Sequence, residues 1–345
     1  MRFLRPYSIA ALAGMICGMV FSVFFYGLNV TTFWNGALLG ACISLTITAI
    51  ERSFFNANIR RIRFSVALVL RTLMQIIVIT GFVAIGAVIY ISADSGLSVF
   101  EVIGMPVLSK MIFSGAAMRI IFYALSLSFL INLIRQMSRI LGQNVLLNII
   151  VGKYSTPIEE ERIFMFLDLD ASTTLAERLG NIQYHELLDE YVYDLTKPIL
   201  DWGGEIYQYV GDEIVVTWKT APGKHTMKPI ECFFAISKLM ERLAPTYREK
   251  YGFVPSFKAG FHCGIVVTGE IGDVKKEIVF QGDVVNTASR IKETCSSLGA
   301  KILISRELLE KLPQKETVYR ALRAGSFLLK GKEHETELFT VTMVE

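Results

Sequence analysis

Asp168 closes the apolar run "RIFMFLDLD", and Asp212 follows Gly211 in "EIYQYVGDEIVVTW", 44 residues further on. Two carboxylates brought together repel each other unless they are protonated or neutralised by cations. A pair at strand ends suits Mg²⁺, which takes oxygen ligands and is commonly held by one or two carboxylates together with substrate phosphates. Just after Asp168, Ser172 and Thr173 open a helical stretch, and the free N–H groups of a helix start favour an anionic phosphate. Together these residues could do metal-assisted chemistry at a phosphate. Taken singly, each has a plainer reading: a Gly-Asp pair is most often a turn, and an apolar run ending in Asp is most often a strand end.

The elements that must position them follow from periodicity. "RIFMFLDLD" fits a buried strand, and "STTLAERLG" and "QYHELLDEYVYDLTKPILDWGG" have helical spacing. Glu205 to Trp218 alternates about Gly211-Asp212 as a hairpin, with Gln208 in its first strand. A helix in "IECFFAISKLMERLAPTYREKYG", strands in "SFKAGFHCGIVVTGEIG" and "EIVFQG", and a helix in "DVVNTASRIKETCSSLG" complete the pattern. Strand, helix, two hairpin strands, helix, strand is the order of a ferredoxin-like split unit. In that topology the Asp168 strand lies antiparallel beside the second hairpin strand, so the Asp168 end meets the Asp212 tip.

This pattern occupies only part of the chain. With 345 residues, 52% of them hydrophobic, and a mean hydropathy of +0.45, the sequence is too apolar for an ordinary soluble protein. Residues 1–150 hold eleven Lys and Arg against three Asp and Glu, a net of +8, whereas the remainder carries a net of −5. The pI of 8.5 therefore describes neither part and does not indicate a nucleic-acid partner. Four apolar segments, about 7–27, 32–50, 72–92 and 111–134, each reach the ~20 residues a bilayer core requires. A cleavable signal is the competing account of the first, but the run is too long and no small-residue cleavage site follows it. Arg2, Arg5, Arg52, Arg60, Arg61, Arg63, Arg135 and Arg139 fall in alternate loops, opposite Asp94, Glu101 and Lys110. That bias predicts both termini in the cytoplasm, with the chain in the inner membrane. Arg71 and Arg119, near segment ends, are expected to snorkel to the interface. The fourth helix is expected to run on through "NLIRQMSRILGQNVLLNIIVGKY" as a connector, dimerising or lying on the bilayer. Pro157 then ends it, and Glu159 to Glu161 mark a domain start. Five scattered cysteines, Cys17, Cys42, Cys232, Cys263 and Cys295, predict buried free thiols.

A third element, "FQGDVVNTASR" from Phe280 to Arg290, makes the order legible. Asp168, then Gly211-Asp212, then "GDVVNTASR" resembles the catalytic domain of class III adenylyl and guanylyl cyclases over about residues 161–345. The resemblance implies an α+β, ferredoxin-like catalytic domain with a split βαββαβ core, following an all-α four-helix transmembrane domain at 1–134 and a connector at 135–160. It implies a homodimer with shared active sites, in which Asp168, Asp212 and the backbone carbonyl of Leu169 hold two Mg²⁺ or Mn²⁺ ions. Asn286 and Arg290, at i and i+4 on one helix face, would come from the other subunit. The implied reaction is attack of the ribose 3′-hydroxyl of ATP on the α-phosphate with loss of pyrophosphate. Lys330 or Lys332 in "LLKGKEHETELFTV" would reach the triphosphate; alone, these lysines read as solvated, and Asn286 and Arg290 read as a cap and a surface arginine.

The positions that choose the base depart from the family. Typical adenylyl cyclases have Lys and Asp there and guanylyl cyclases Glu and Cys, but this chain has Gln208 and Val279. An amide can meet either purine edge and an alkyl group neither, so discrimination is expected to be poor. Adenylyl cyclase is the leading reading. A guanylyl or dual-specificity cyclase acting on GTP, and a silent nucleotide-binding or dimerisation module, stay open. A diguanylate cyclase shares the core, but its Gly-Gly signature is not what "VGDEI" offers.

Overall fold

The computed structural model describes residues 5–55, 64–103, 110, 113–142, 145–220, 226–313 and 318–344. Arg2, Arg60, Arg61 and Arg63 lie outside them. By internal contacts the chain divides into Met1–Met137 and Ser138–Glu345.

The first unit is helical: α1 (Arg5–Tyr26), α2 (Val30–Ile50), a π-helical turn (Glu51–Phe55), α3 (Phe64–Ser95), short α4 (Val99–Ile103) and α5 (Gly115–Leu141). Four of its helices are long and apolar enough to cross a membrane: Tyr7–Phe25, Val30–Ser53, Ser65–Ala93 and Ala117–Ser138. Helices α1 and α2 meet through small residues. A Cβ on Gly18 would lie 1.9 Å from the Gly36 carbonyl oxygen, and one on Gly14 would lie 2.3 Å from that of Gly40. Paired small-xxx-small faces let helix backbones approach where water offers no drive to associate. Arg71 corrects the snorkelling expectation. It is 7% exposed, and Gln75 one turn on is also buried, accepting a 2.8 Å hydrogen bond from Asn132 Nδ2 of α5. These polar groups turn into the bundle rather than out to an interface. Arg119 is exposed. The continuous connector helix is also corrected. Helix α5 stops at Leu141, Gly142 takes a φ of +97°, and a separate α6 (Val145–Val151) follows.

The second unit runs β1 (Ile158–Leu169), α7 (Ser172–Asp201), β2 (Glu205–Val210), β3 (Glu213–Lys219), α8 (Lys228–Tyr251), β4 (Phe257–Ile271), β5 (Glu277–Gln281) and α9 (Asp283–Leu298). It ends with β6 (Ile302–Ser305), α10 (Arg306–Lys311), β7 (Tyr319–Phe327) and β8 (Thr336–Met343). The sheet order is β2-β3-β1-β4-β6-β8-β7, with β5 paired to β4. Its first four strands have the ferredoxin-like order expected, and the last three extend that core.

Alternation along β1 organises the packing. Ile163, Met165, Leu167 and Leu169 join the core under α7 and α8, whereas Phe164 and Phe166 pack on the other face with Val284 and Ala288 of α9. Each such fully buried side chain stabilises the fold by about 1.5–3 kcal/mol relative to exposure. Glu159 to Glu161, expected to mark a domain start, lie at the beginning of β1, which opens at Ile158. Glu160 is 5% exposed and tolerates burial because Arg162 reaches it at 2.8 Å and Lys219 also pairs with it. All five cysteines are free, and Cys232, Cys263 and Cys295 are buried.

Candidate active site

β1 pairs antiparallel with β3 up to Leu167↔Ile214, so the next residue of β1, Asp168, lies at the edge where the hairpin turns through Gly211 and Asp212. Gly211 has a φ of +64°, and no other residue of the turn is left-handed, as a two-residue turn with glycine first requires. Both carboxylates act on the same neighbours. Burial raises the Tyr184 and Tyr191 phenols and the Glu213 carboxyl, and the charges of Asp168 and Asp212 add to the shift in all three. The Tyr191 hydroxyl is buried without a hydrogen-bond partner among the described residues.

Asp168 belongs to the face of β1 that meets α9. Its Oδ2 lies 3.2 Å from Lys292 Nζ and 3.5 Å from Lys258 Nζ, its cross-strand partner on β4. Lys292 also reaches Glu213 Oε2 at 2.8 Å, and Lys258 reaches Asp170 at 3.4 Å. Burial works against the Lys292 charge, but Glu213 and Asp168 outweigh it and hold the ammonium above the ordinary lysine value. Lys258, Lys292 and Glu213 were not singled out from sequence. A signal is available in register: Lys258 alternates with the core residues Phe257, Ala259 and Phe261 and so falls on the Asp168 face, and Lys292 lies two residues past Arg290 on α9.

Leu169 is core, so only its backbone can serve as a ligand. Ser172 and Thr173 begin α7 behind Ala171, whose φ of 55° is left-handed, and the Ser172 hydroxyl bonds with Tyr184. Gly180, with a φ of +74°, breaks α7 where the sequence divides into two helical stretches.

Asn286 and Arg290 lie one turn apart on α9; Asn286 is exposed, and Arg290 Nη1 pairs with Glu293 at 2.8 Å. Arg290 and Lys330 line one open cleft of ≈ 340 Å³ together with Glu293 and Thr294. Lys332 instead pairs with Asp283 at the start of α9. The base positions lie on adjoining elements: Gln208 on β2 follows a bulge at Tyr207, and Val279 on β5 pairs with Gly269. The neighbouring rings of Tyr207 and Phe280 meet edge-on at 4.8 Å, bringing the two strands into contact.

Among the described residues no three His, Cys, Asp or Glu side chains converge to hold a metal. Asp168, Asp212 and a backbone carbonyl form a smaller, all-oxygen set that fits Mg²⁺ or Mn²⁺, ions usually completed by water and substrate phosphate. Within the chain, the Asp168 carboxylate is balanced by the ammonium groups of Lys258 and Lys292.

The family model of the adenylate and guanylate cyclase catalytic domain matches residues 156–342. Adenylate cyclase 2 of Rhizobium meliloti (strain 1021) is 32% identical over 334 residues, covering 94% of this chain and 87% of that protein. A bacterial light-regulated adenylyl cyclase shares the fold at TM-score 0.55 and 20% identity, over 67% of each chain. The adenylyl cyclase CyaB from P. aeruginosa does so at TM-score 0.50 and 23% identity, over 55% of this chain and 97% of that one. With its three motifs on the elements that fold requires, the chain belongs to the class III nucleotidyl cyclases and is a nucleotidyl cyclase carrying four apolar helices ahead of its catalytic domain.

Proposed function

We propose that the protein is a membrane-bound adenylyl cyclase that converts ATP to cyclic AMP and pyrophosphate at sites shared by two copies of the chain. The observation that carries this reading is the antiparallel β1–β3 pairing, which brings Asp168 to the edge where Asp212 turns. The choice of ATP is supported by the adenylate cyclase relative, which matches through the helical part as well as the catalytic part. Asp168, Asp212 and the Leu169 carbonyl would hold two Mg²⁺ or Mn²⁺ ions; when bound, these make the 3′-hydroxyl more acidic and offset phosphate charge. Arg290 of the second copy offsets charge as the α-phosphate is attacked and pyrophosphate leaves, and Asn286 on the same exposed face orients the nucleotide. Ser172 and Thr173 offer the α7 start to a phosphate, and Lys330, which shares the Arg290 cleft, is a better phosphate ligand than Lys332, which is tied to Asp283. Transmembrane residues 1–134, a connector at 135–160 and a catalytic domain at 161–345, with both termini in the cytoplasm, complete the proposal.

The test is a side-by-side assay of the full chain in membranes with ATP and GTP, each with Mg²⁺ and Mn²⁺. Cyclic AMP from ATP is expected, falling at least ~100-fold in Asp168→Asn. Cyclisation of GTP in preference to ATP would make the chain a guanylyl cyclase, and turnover of neither would leave a silent module. In Gln208→Lys with Val279→Asp, preference for ATP over GTP should rise. An unchanged ratio would remove these positions from the base pocket.

A further inference from the structure

Lys292 has no part in the reaction as proposed above, yet it touches the residue on which that reaction depends. Its Nζ lies 3.2 Å from Asp168 Oδ2 and 2.8 Å from Glu213 Oε2, with the side chain 14% exposed. It therefore spans both elements that bring the carboxylates together, the end of β1 and the residue after Asp212.

This contact is built into the backbone. A Cβ on Gly260 of β4 would lie 2.2 Å from Lys292 N and 2.7 Å from the Ala288 carbonyl oxygen, so α9 rests directly on the strand at this point. Lys292 stands two residues after Arg290, about 200° around the helix, so one face carries Arg290 outward and the other turns Lys292 onto the Asp168 of its own chain.

We propose that Lys292 is a positioning residue, a resident counter-cation that holds Asp168 in the metal-free enzyme and competes with the divalent ion for that carboxylate, so setting how much metal the enzyme demands. Lys292 can do this only if Asp168 is a metal ligand, as proposed above. An ammonium within hydrogen-bond reach of a ligand oxygen shields the carboxylate and repels a dication bound to it. The same ammonium relieves the repulsion among Asp168, Asp212 and Glu213 while no metal is present. Lys258 stands farther from the same carboxylate oxygen, at 3.5 Å, and does not reach Glu213 or the hairpin that carries Asp212.

The plainer alternative is a clamp, with Lys292 fastening α9 to Glu213 and no effect on metal. Charge separates the two. As a clamp, Lys292→Met and Glu213→Gln break one bond and shift metal binding the same way or not at all. As a counter-cation, they shift it in opposite directions, because one removes a positive charge beside Asp168 and the other a negative one.

The experiment is Mn²⁺ binding to the detergent-solubilised full chain without nucleotide, read from the electron paramagnetic resonance of free Mn²⁺, with thermal unfolding at each metal concentration. In Lys292→Met the Kd for Mn²⁺ is expected to fall about tenfold, while in Glu213→Gln it rises. The midpoint of metal-free unfolding should drop in Lys292→Met and recover more steeply with Mn²⁺ than in the wild type. Lys292→Gln, whose amide still donates to Glu213, carries the same expectation if the methionine variant does not fold. Unchanged or weaker binding in a folded neutral variant overturns the proposal. Asp168→Asn should lose Mn²⁺ binding; if it does not, the metal reading of Asp168 has failed, and the role of Lys292 with it.

Discussion

His262 lies on β4 and takes no part in the proposed reaction, but it is buried where a protonated ring is disfavoured. Its Nδ1 is 2.7 Å from Ser305 Oγ, which also accepts the Leu308 N–H at the start of α10. Burial lowers the imidazole from its ordinary 6.5 to about 4; Glu307 and Asp283 oppose the fall, and Lys332 and Lys311 assist it. A depressed folded pKa means that stability is complete above the unfolded value and is lost as pH falls through the folded one. The window is therefore about pH 6.5 down to about 4, and the full effect is about 3 kcal/mol. Denaturant unfolding of wild type and His262→Gln should show the stability gap narrowing as pH falls from 7.5 towards 5. A gap that stays constant would mean the ring is not held neutral.

At the scale of elements, α9 has to approach β4 closely enough for Arg290 and Lys292 to be aimed from opposite faces, and Gly260 permits it. Gly260→Ala would force the helix outward, since the contacts at 2.2 and 2.7 Å are to backbone and cannot yield by a rotamer change. Overpacking of this kind costs about 1–3 kcal/mol. Chemical denaturation should register that loss together with a fall in cyclase activity, whereas wild-type stability would show that α9 has slack. The sequence was most informative where one period decides one element. Alternation locates β1 and the hairpin, and helical spacing locates α9, whereas the roles proposed for Asp168, Asp212, Asn286 and Arg290 come from the family resemblance. The ion pairs with Arg162 and Lys219 that let Glu160 lie buried in β1 are not legible in the sequence. Lys258 and Lys292 were missed because their meaning lies in register and helix packing, which fix partners across 90 and 124 residues. Arg71 has a related explanation: a single helix does not show which of its faces turns into a bundle.

For the whole molecule, the decisive question is whether one chain can complete a site by itself. Asp168 and Arg290 occupy the same unit, yet Lys292 is the α9 residue that meets Asp168, and its opposite placement on the helix leaves Asn286 and Arg290 facing away. Among the described residues Arg290 pairs only with Glu293, three positions along its own helix, and Asn286 makes no side-chain hydrogen bond. An exposed amide and a half-exposed guanidinium one turn apart are poorly used within one copy and well placed to act on a second. If so, a chain lacking Asp212 still contributes a good α9, and a chain lacking Asn286 still contributes good carboxylates. Co-expressed Asp212→Ala and Asn286→Ala chains, each inactive alone, should regain up to about a quarter to a half of wild-type cyclase activity, since a mixed dimer has one intact site of two and half of random pairs are mixed. The measurement is cyclic AMP production by heterodimers isolated through two different affinity tags. No recovery in such verified heterodimers would mean that each chain closes its own site, and α9 would then have to turn Arg290 towards Asp168 by a rearrangement that the Gly260 contact opposes.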